Sequence, residues 1–92
     1  MGTWMLLLVL AHTADLWTTH LGLSRGCQEL NPLYGLVGYS LLGMGAIKGI
    51  CVALIGLLAA GANPRTRRVV LWTGIVAGFG AAVWNLLVIP SC

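Results

Sequence analysis

The sequence predicts an all-α fold: an integral membrane bundle of three transmembrane helices, at about 3–23, 32–60 and 64–89, in a single domain over 1–92. Three observations predict it. Charged residues make up 8% of the chain and hydrophobic ones 59%. The mean hydropathy is +0.94. Three apolar runs each approach the roughly 20 residues that a bilayer crossing requires. A soluble domain carries about 25% charged residues because its exterior must be solvated. A chain of 92 residues is also too short to hide this much apolar surface in a core of its own.

The first segment opens with WMLLLVLA. It lacks a basic leader and a small-x-small cleavage site, so it is expected to stay and span. The later segments carry capping chemistry. Asn31-Pro32 and Asn63-Pro64 place asparagine at an N-cap and proline at the first helical position. Gly26 and Gly61 follow apolar runs and suit left-handed C-cap positions, and Pro90 closes the last helix. The second segment is overlong, so it should tilt or project beyond the hydrocarbon. Trp4, Trp72 and Trp84 are interfacial anchors or packing residues, Trp4 the better placed for anchoring.

The net charge of +3 arises from Arg25, Lys48, Arg65, Arg67 and Arg68. RTRR separates the second and third segments, whereas the first loop holds Arg25 offset by Glu29. Positive charge stays on the cytoplasmic side. The N-terminus and the RTRR loop are therefore expected inside, with the first loop and the C-terminus outside. The basic balance reads as a topology signal beside anionic headgroups. With neither aromatic interleaving nor a recognition helix, no nucleic-acid partner is expected. The expected partners are the lipid bilayer and other membrane helices, from further copies or other subunits. Of three cysteines, Cys51 lies mid-helix and is read as a small packing residue. Cys27 and Cys92 would share the outer face, where a disulfide is conceivable; their separation is not legible in sequence.

At about 100° per residue, Gly35, Gly38, Gly45, Gly49 and Gly56 fall in one stripe, extended by Ala46, Ala53 and Ala60. Gly45 and Gly49 form a GxxxG. The third segment aligns Gly74, Gly78, Ala81 and Asn85. Glycine is common in membrane helices, but five in phase argue for close backbone approach between helices. Segment one carries a polar line instead. His12, Asp15 and Thr19 lie within about 60° of each other, with Thr18 beside Asp15 and His20 well off the line. An ionisable group at this depth is costly unless paired, neutralised or wet, so Asp15 must face protein or a cavity. Lys48 is the natural counter-charge. Counted from a helix start at Pro32 it lies roughly two turns deeper than Asp15. It either reaches up to the carboxylate or snorkels toward the cytoplasm.

The run Asp15-x-x-Thr18-Thr19, then Gly26, Glu29-x-Asn31-Pro32 and Lys48, resembles an uncharacterised family of small bacterial and archaeal membrane proteins classed as a domain of unknown function. The resemblance runs from Asp15 to Asn85. It implies a compact three- or four-helix unit with clustered polar positions, in a prokaryotic inner or plasma membrane, and brings no established activity. Members often end the last helix with an aromatic-histidine pair, where this chain has Trp84-Asn85.

Two functions fit the polar set. In the first it is architectural: threonine hydroxyls bond within their own helix, Asn31 caps the next, Glu29 approaches that helix start, and Asp15 with Lys48 fixes register. The protein is then a small structural subunit acting through glycine-mediated helix packing. In the second, Asp15 is the intramembrane carboxylate of an oligomeric proton or cation pathway. Metal or haem ligation is disfavoured, because His12 and His20 point about 80° apart and a third inward ligand is missing. Ser24, Ser40 and Ser91 lack an oriented histidine, and neither GxSxG nor HExxH occurs. No enzyme activity, cofactor or metal is expected.

Overall fold

The computed structural model describes residues 2–28 and 32–92. It contains α1 (Gly2–Ser24), α2 (Pro32–Leu36), α3 (Leu41–Ala60), α4 (Pro64–Val88) and a closing 3₁₀ turn (Ile89–Ser91). The described residues contain no strand. Helix α1 ends in a Schellman motif. Gly26 adopts φ 89°, so its N–H reaches the Leu23 carbonyl at 3.1 Å and that of Cys27 reaches Gly22 at 2.9 Å.

The second segment departs from the expected single helix over 32–60. It breaks after Leu36, and α3 starts afresh at Leu41. Gly38 (φ 64°) and Tyr39 (φ 58°) enter the left-handed region. There the Gly38 N–H caps Gly35 at 3.1 Å and the Tyr39 N–H caps Tyr34 at 3.0 Å. Ser40 then acts as N-cap, its hydroxyl accepting from the Gly43 N–H at 3.0 Å. Two consequences follow. Gly35 and Gly38 leave the small-residue stripe, because they belong to α2 and its cap. Lys48 becomes the eighth residue of α3, which raises it to the level of Asp15.

The turn into α4 uses Asn63 as expected: its side-chain oxygen accepts from the Thr66 N–H at 2.9 Å, with Pro64 in the first turn. Gly61 is not left-handed; its φ is −84°. Its N–H still reaches the Leu57 carbonyl at 3.2 Å, and the turn beyond it is closed from α4 by Arg67. Its Nε donates to Ala59 O at 2.9 Å and its Nη2 to Ala62 O at 3.2 Å. Glu29 and the Asn31 cap lie outside the described residues, and α2 begins at Pro32.

Helices α1 and α4 run parallel, since the neighbours Leu8–Gly74, Ala11–Gly78 and Gly22–Ile89 advance together. Helix α3 lies antiparallel against them, with Leu16 near Gly45 and Met5 near Gly56. Leu8, Ala59, Leu71 and Ile75 form a dry core at the end nearest the basic turn. Trp4 closes that end edge-on to Trp72, centroids 5.2 Å apart; Trp84 is exposed at the other. There a Cys27–Cys92 disulfide, Cα–Cα 5.0 Å, ties the end of α1 to the C-terminus. Cys51 is exposed rather than packed, because α3 turns that face away from its neighbours. By length and composition two helices suit a membrane crossing: α3, and α4 continued through Ser91.

The α1–α4 contact rests on missing side chains. A Cβ at Gly78 would stand 2.8 Å from Ala11 Cβ and 2.9 Å from its carbonyl carbon; one at Gly74 would stand 2.8 Å from Leu8 Cδ1. Gly80, on the opposite face of α4, has nothing within 4 Å. Gly78→Val is therefore expected to destabilise the fold by about 3 kcal/mol through overpacking. Gly80→Val should stay within about 0.5 kcal/mol of the parent. Tryptophan-fluorescence melting in detergent compares the two, and equal melting points would contradict the packing described.

Candidate functional site

Midway along the bundle the apolar interior gives way to a polar network. Helix α1 turns His12, Asp15, Thr18 and Thr19 inward on one buried face, because spacings of three and four residues return to the same side of a helix. Asn85 projects from α4, one turn beyond buried Ala82, and Lys48 projects from α3. The structure brings all six together.

Lys48 Nζ lies 2.5 Å from Asp15 Oδ2 and 3.0 Å from His12 Nδ1. The other ring nitrogen of His12 is 3.0 Å from the Gly74 carbonyl. A carbonyl can only accept, so Nε2 carries the hydrogen, and Nδ1 offers its lone pair to the ammonium. Complementarity thus defines one tautomer, a neutral ring bridging the α4 backbone to the α3 cation. The Asn85 amide nitrogen donates toward Asp15 Oδ1 at 3.1 Å, Thr18 Oγ1 at 3.0 Å and Thr19 Oγ1 at 3.1 Å. The Thr18 hydroxyl gives its own hydrogen back to α1, with Ala14 O at 2.9 Å and Asp15 O at 3.0 Å. Among the described residues, every buried side-chain nitrogen and oxygen has a partner.

The pair is shielded but not sealed: the Lys48 and Asp15 side chains are 19% and 11% exposed. Two openings reach the network. A cleft of about 150 Å³ on the disulfide side is lined by Thr18, Thr19, Asn85, Gln28 and Trp84 among others. A groove of about 190 Å³ between α1 and α3 is lined by His12 and Lys48 among others. With one acid, one base, a neutral imidazole and three neutral hydrogen-bonding groups, the site can hold helices in register, relay a proton, or bind a small cation through oxygen.

His20 stands apart, 5.6 Å from the Trp17 ring. The residues expected to pack helices divide. Gly74 and Gly78 meet α1, Gly45 and Gly56 meet Leu16 and Met5, Gly49 faces open space, and Gly38 is a cap. Sequence reasoning missed three contributors. The Gly74 carbonyl and the Arg67 cap have no pattern that announces them, since both depend on tertiary contact. The Ser40 N-cap was readable from its position just after Gly38-Tyr39 and before an apolar run.

Nothing among curated proteins or solved structures matches the chain. Residues 6–91 match a family described as a domain of unknown function, DUF5658. That match covers nearly all of α1 and every later element, and by it the chain belongs to the DUF5658 family.

Proposed function

We propose that the protein is a small three-span membrane protein with a structural role: the polar network locks its helices, and α3 docks on a second copy or another membrane subunit. The observation that carries this is how little of α3 the protomer covers. Met44 and Ala59 are its buried side chains, over twenty residues. Its outward face runs through Ala46, Gly49 and Ala53, and nothing opposes Gly49 within 4 Å. Small residues on a lipid-facing helix allow another backbone to come close.

Helix α1 is counted as the third span. Its 23 residues give about 34 Å, enough for a hydrocarbon core of about 30 Å. His12, Asp15, Thr18 and Thr19 turn inward, whereas Leu6, Val9, Leu10 and Trp17 point outward together with Thr13. Orientation is supported by chemistry at the two ends. A disulfide suits the oxidising side, and Arg65, Arg67 and Arg68 suit the cytoplasmic side. The first loop and C-terminus are therefore outside and the N-terminus inside.

Gly49→Ile has room within the protomer, so it should leave the melting point unchanged and reduce the assembled species in mild detergent, read by light scattering on a sizing column. An unchanged assembly, or a wild-type protein that is monomeric and captures no membrane partner, would refute docking through this face. The lock is tested by a mutant cycle. Asp15→Asn and Lys48→Met should each cost about 3–5 kcal/mol, because each leaves a buried partner uncompensated. The double variant should cost far less than the sum; strict additivity in chemical unfolding would show that the two do not act together.

A second reading, a proton or cation pathway through Asp15, is favoured by one observation. The cleft touches the network at Thr18, Thr19 and Asn85, and the groove touches it at His12 and Lys48. The two openings thus reach the network at different residues, the groove at Lys48 and the cleft at the hydrogen-bonding partners of Asp15.

A further inference from the structure

We propose that the outward face of α4 beside the basic turn binds an anionic phospholipid. Arg65 and Arg68 hold its phosphate, and its acyl chain lies on Trp72 and the apolar strip beyond. This rests on the reading of α4 as a membrane span, and it names a lipid class and the side chains that select it.

The three arginines of the turn divide. Arg67 is spent inside the protein, on the Ala59 and Ala62 carbonyls. Arg65 and Arg68 are exposed, and neither has a hydrogen bond or ion pair among the described residues. Asp15, the one described acid, is taken by Lys48, so no described carboxylate is left to answer them. Both also stand near the start of α4, where the peptide dipoles disfavour positive charge. Their counter-charge comes from outside the protomer.

The face that carries them has the profile of a lipid. Spacings of three and four residues bring Arg65, Arg68 and Trp72 to one side of the helix and continue through Val76, Phe79 and Val83. All of these are exposed. Charge is therefore confined to the end of the strip, and everything after it is apolar. From Arg68 to Phe79 the helix rises about 16 Å, close to half of a hydrocarbon core of about 30 Å and so the reach of one acyl chain. Trp72 follows Arg68 by about one turn, at the level where an indole suits the boundary between headgroup and chain. Its ring is 51% exposed yet held edge-on to Trp4, so the surface it offers is fixed before a lipid arrives.

The combination selects the ligand. A guanidinium presents paired N–H donors that match phosphate oxygens. Inorganic phosphate would use the arginines and ignore Trp72 and the strip; a phosphodiester attached to an acyl chain uses both. A zwitterionic lipid brings an ammonium of its own and leaves the charge of the arginine pair uncancelled, whereas an anionic one offsets it.

Tryptophan quenching tests this on the full chain in phosphatidylcholine vesicles carrying a minor fraction of lipid with brominated acyl chains. Brominated phosphatidylglycerol should quench more than the same fraction of brominated phosphatidylcholine, equivalent to about a tenfold preference in association. The excess should vanish in Trp72→Phe, which assigns it to that ring, and in Arg65→Gln/Arg68→Gln. The arginine pair is exposed, so its loss should leave the melting point in phosphatidylcholine alone unchanged. Read instead as a melting shift caused by phosphatidylglycerol, binding should persist in Trp72→Phe and disappear without the two arginines. Arg67→Gln should keep the preference while lowering the melting point. Equal quenching by the two lipids in the wild type would overturn the inference. So would a preference that survives loss of both arginines, or an excess that Trp72→Phe leaves in place. An excess abolished by inorganic phosphate would assign the arginines to a free anion and remove the lipid. Alkaline extraction of membranes separates this site from the reading beneath it. A chain stripped from the membrane removes both, whereas a chain that stays and shows no preference removes the lipid site alone.

Discussion

The contact between the Lys48 ammonium and the Asp15 carboxylate is the constraint on which the rest of the arrangement depends. The chain has two acidic residues, and the other, Glu29, falls between α1 and α2 in the sequence. Among the described residues Asp15 is the one acidic side chain, and no three histidine, cysteine or acidic side chains gather. Its compensation has to come from a basic residue, and four of the five basic residues are arginines in or beside the turns. Lys48 alone lies inside a helix core. The partner of Asp15 is therefore decided by where α3 begins. The Gly38–Ser40 break sets that start, so a local capping decision in one turn determines whether a charge in the interior is matched.

The bundle is graded along its length, and the grading explains why one end can be rigid and the other open. Near the basic turn the contacts are apolar: Leu8, Ala59, Leu71 and Ile75 pack together, and Arg67 binds the Ala59 and Ala62 carbonyls. Apolar contacts of that kind lose favourable dispersion whenever a gap opens. At the far end the interior is polar and a cleft penetrates between α1 and α4. Helices would splay there without a tether, and the Cys27–Cys92 disulfide closes a loop of 65 residues across it. Cross-linking over that span restricts the unfolded chain. The middle, where the polar network sits, is held from both sides.

The inward line of His12, Asp15, Thr18 and Thr19 was legible because helical periodicity is a local property that needs no knowledge of neighbours. Asn85 was legible for the same reason, as the continuation of Gly74 and Gly78. The level of Lys48 was not, because five glycines in phase suggested one continuous helix, and two of them serve as α2 and its cap instead. Periodicity cannot distinguish a glycine that permits close packing from one that permits a positive φ; the following Ser40 is the residue that tells them apart. Gly61 shows the same limit in reverse. A glycine after an apolar run suggests a left-handed cap, but this turn is closed by Arg67, from the next helix, which binds the Ala59 and Ala62 carbonyls. Nor could sequence separate Gly78, which touches the backbone of α1, from Gly49, which touches nothing.

Packing and chemistry are one device in this bundle, and Gly78 is where they join. A Cβ there would stand 2.9 Å from the Ala11 carbonyl carbon and 3.1 Å from the His12 nitrogen. Bulk at that position must push α1 away precisely where its polar face begins. His12 reaches the Gly74 carbonyl only because the two backbones are this close. A helical carbonyl has a second lone pair, so it can take the imidazole hydrogen without giving up its place in α4. Through His12 the notch fixes which ring nitrogen remains to accept from Lys48, and Lys48 in turn fixes the carboxylate. The absence of one methyl group on α4 thus propagates through a backbone contact, a tautomer and an ion pair to the oxygens that face the cleft. Changes at the glycine notch should for that reason be felt at Asp15, a full turn away, before they are felt at the disulfide.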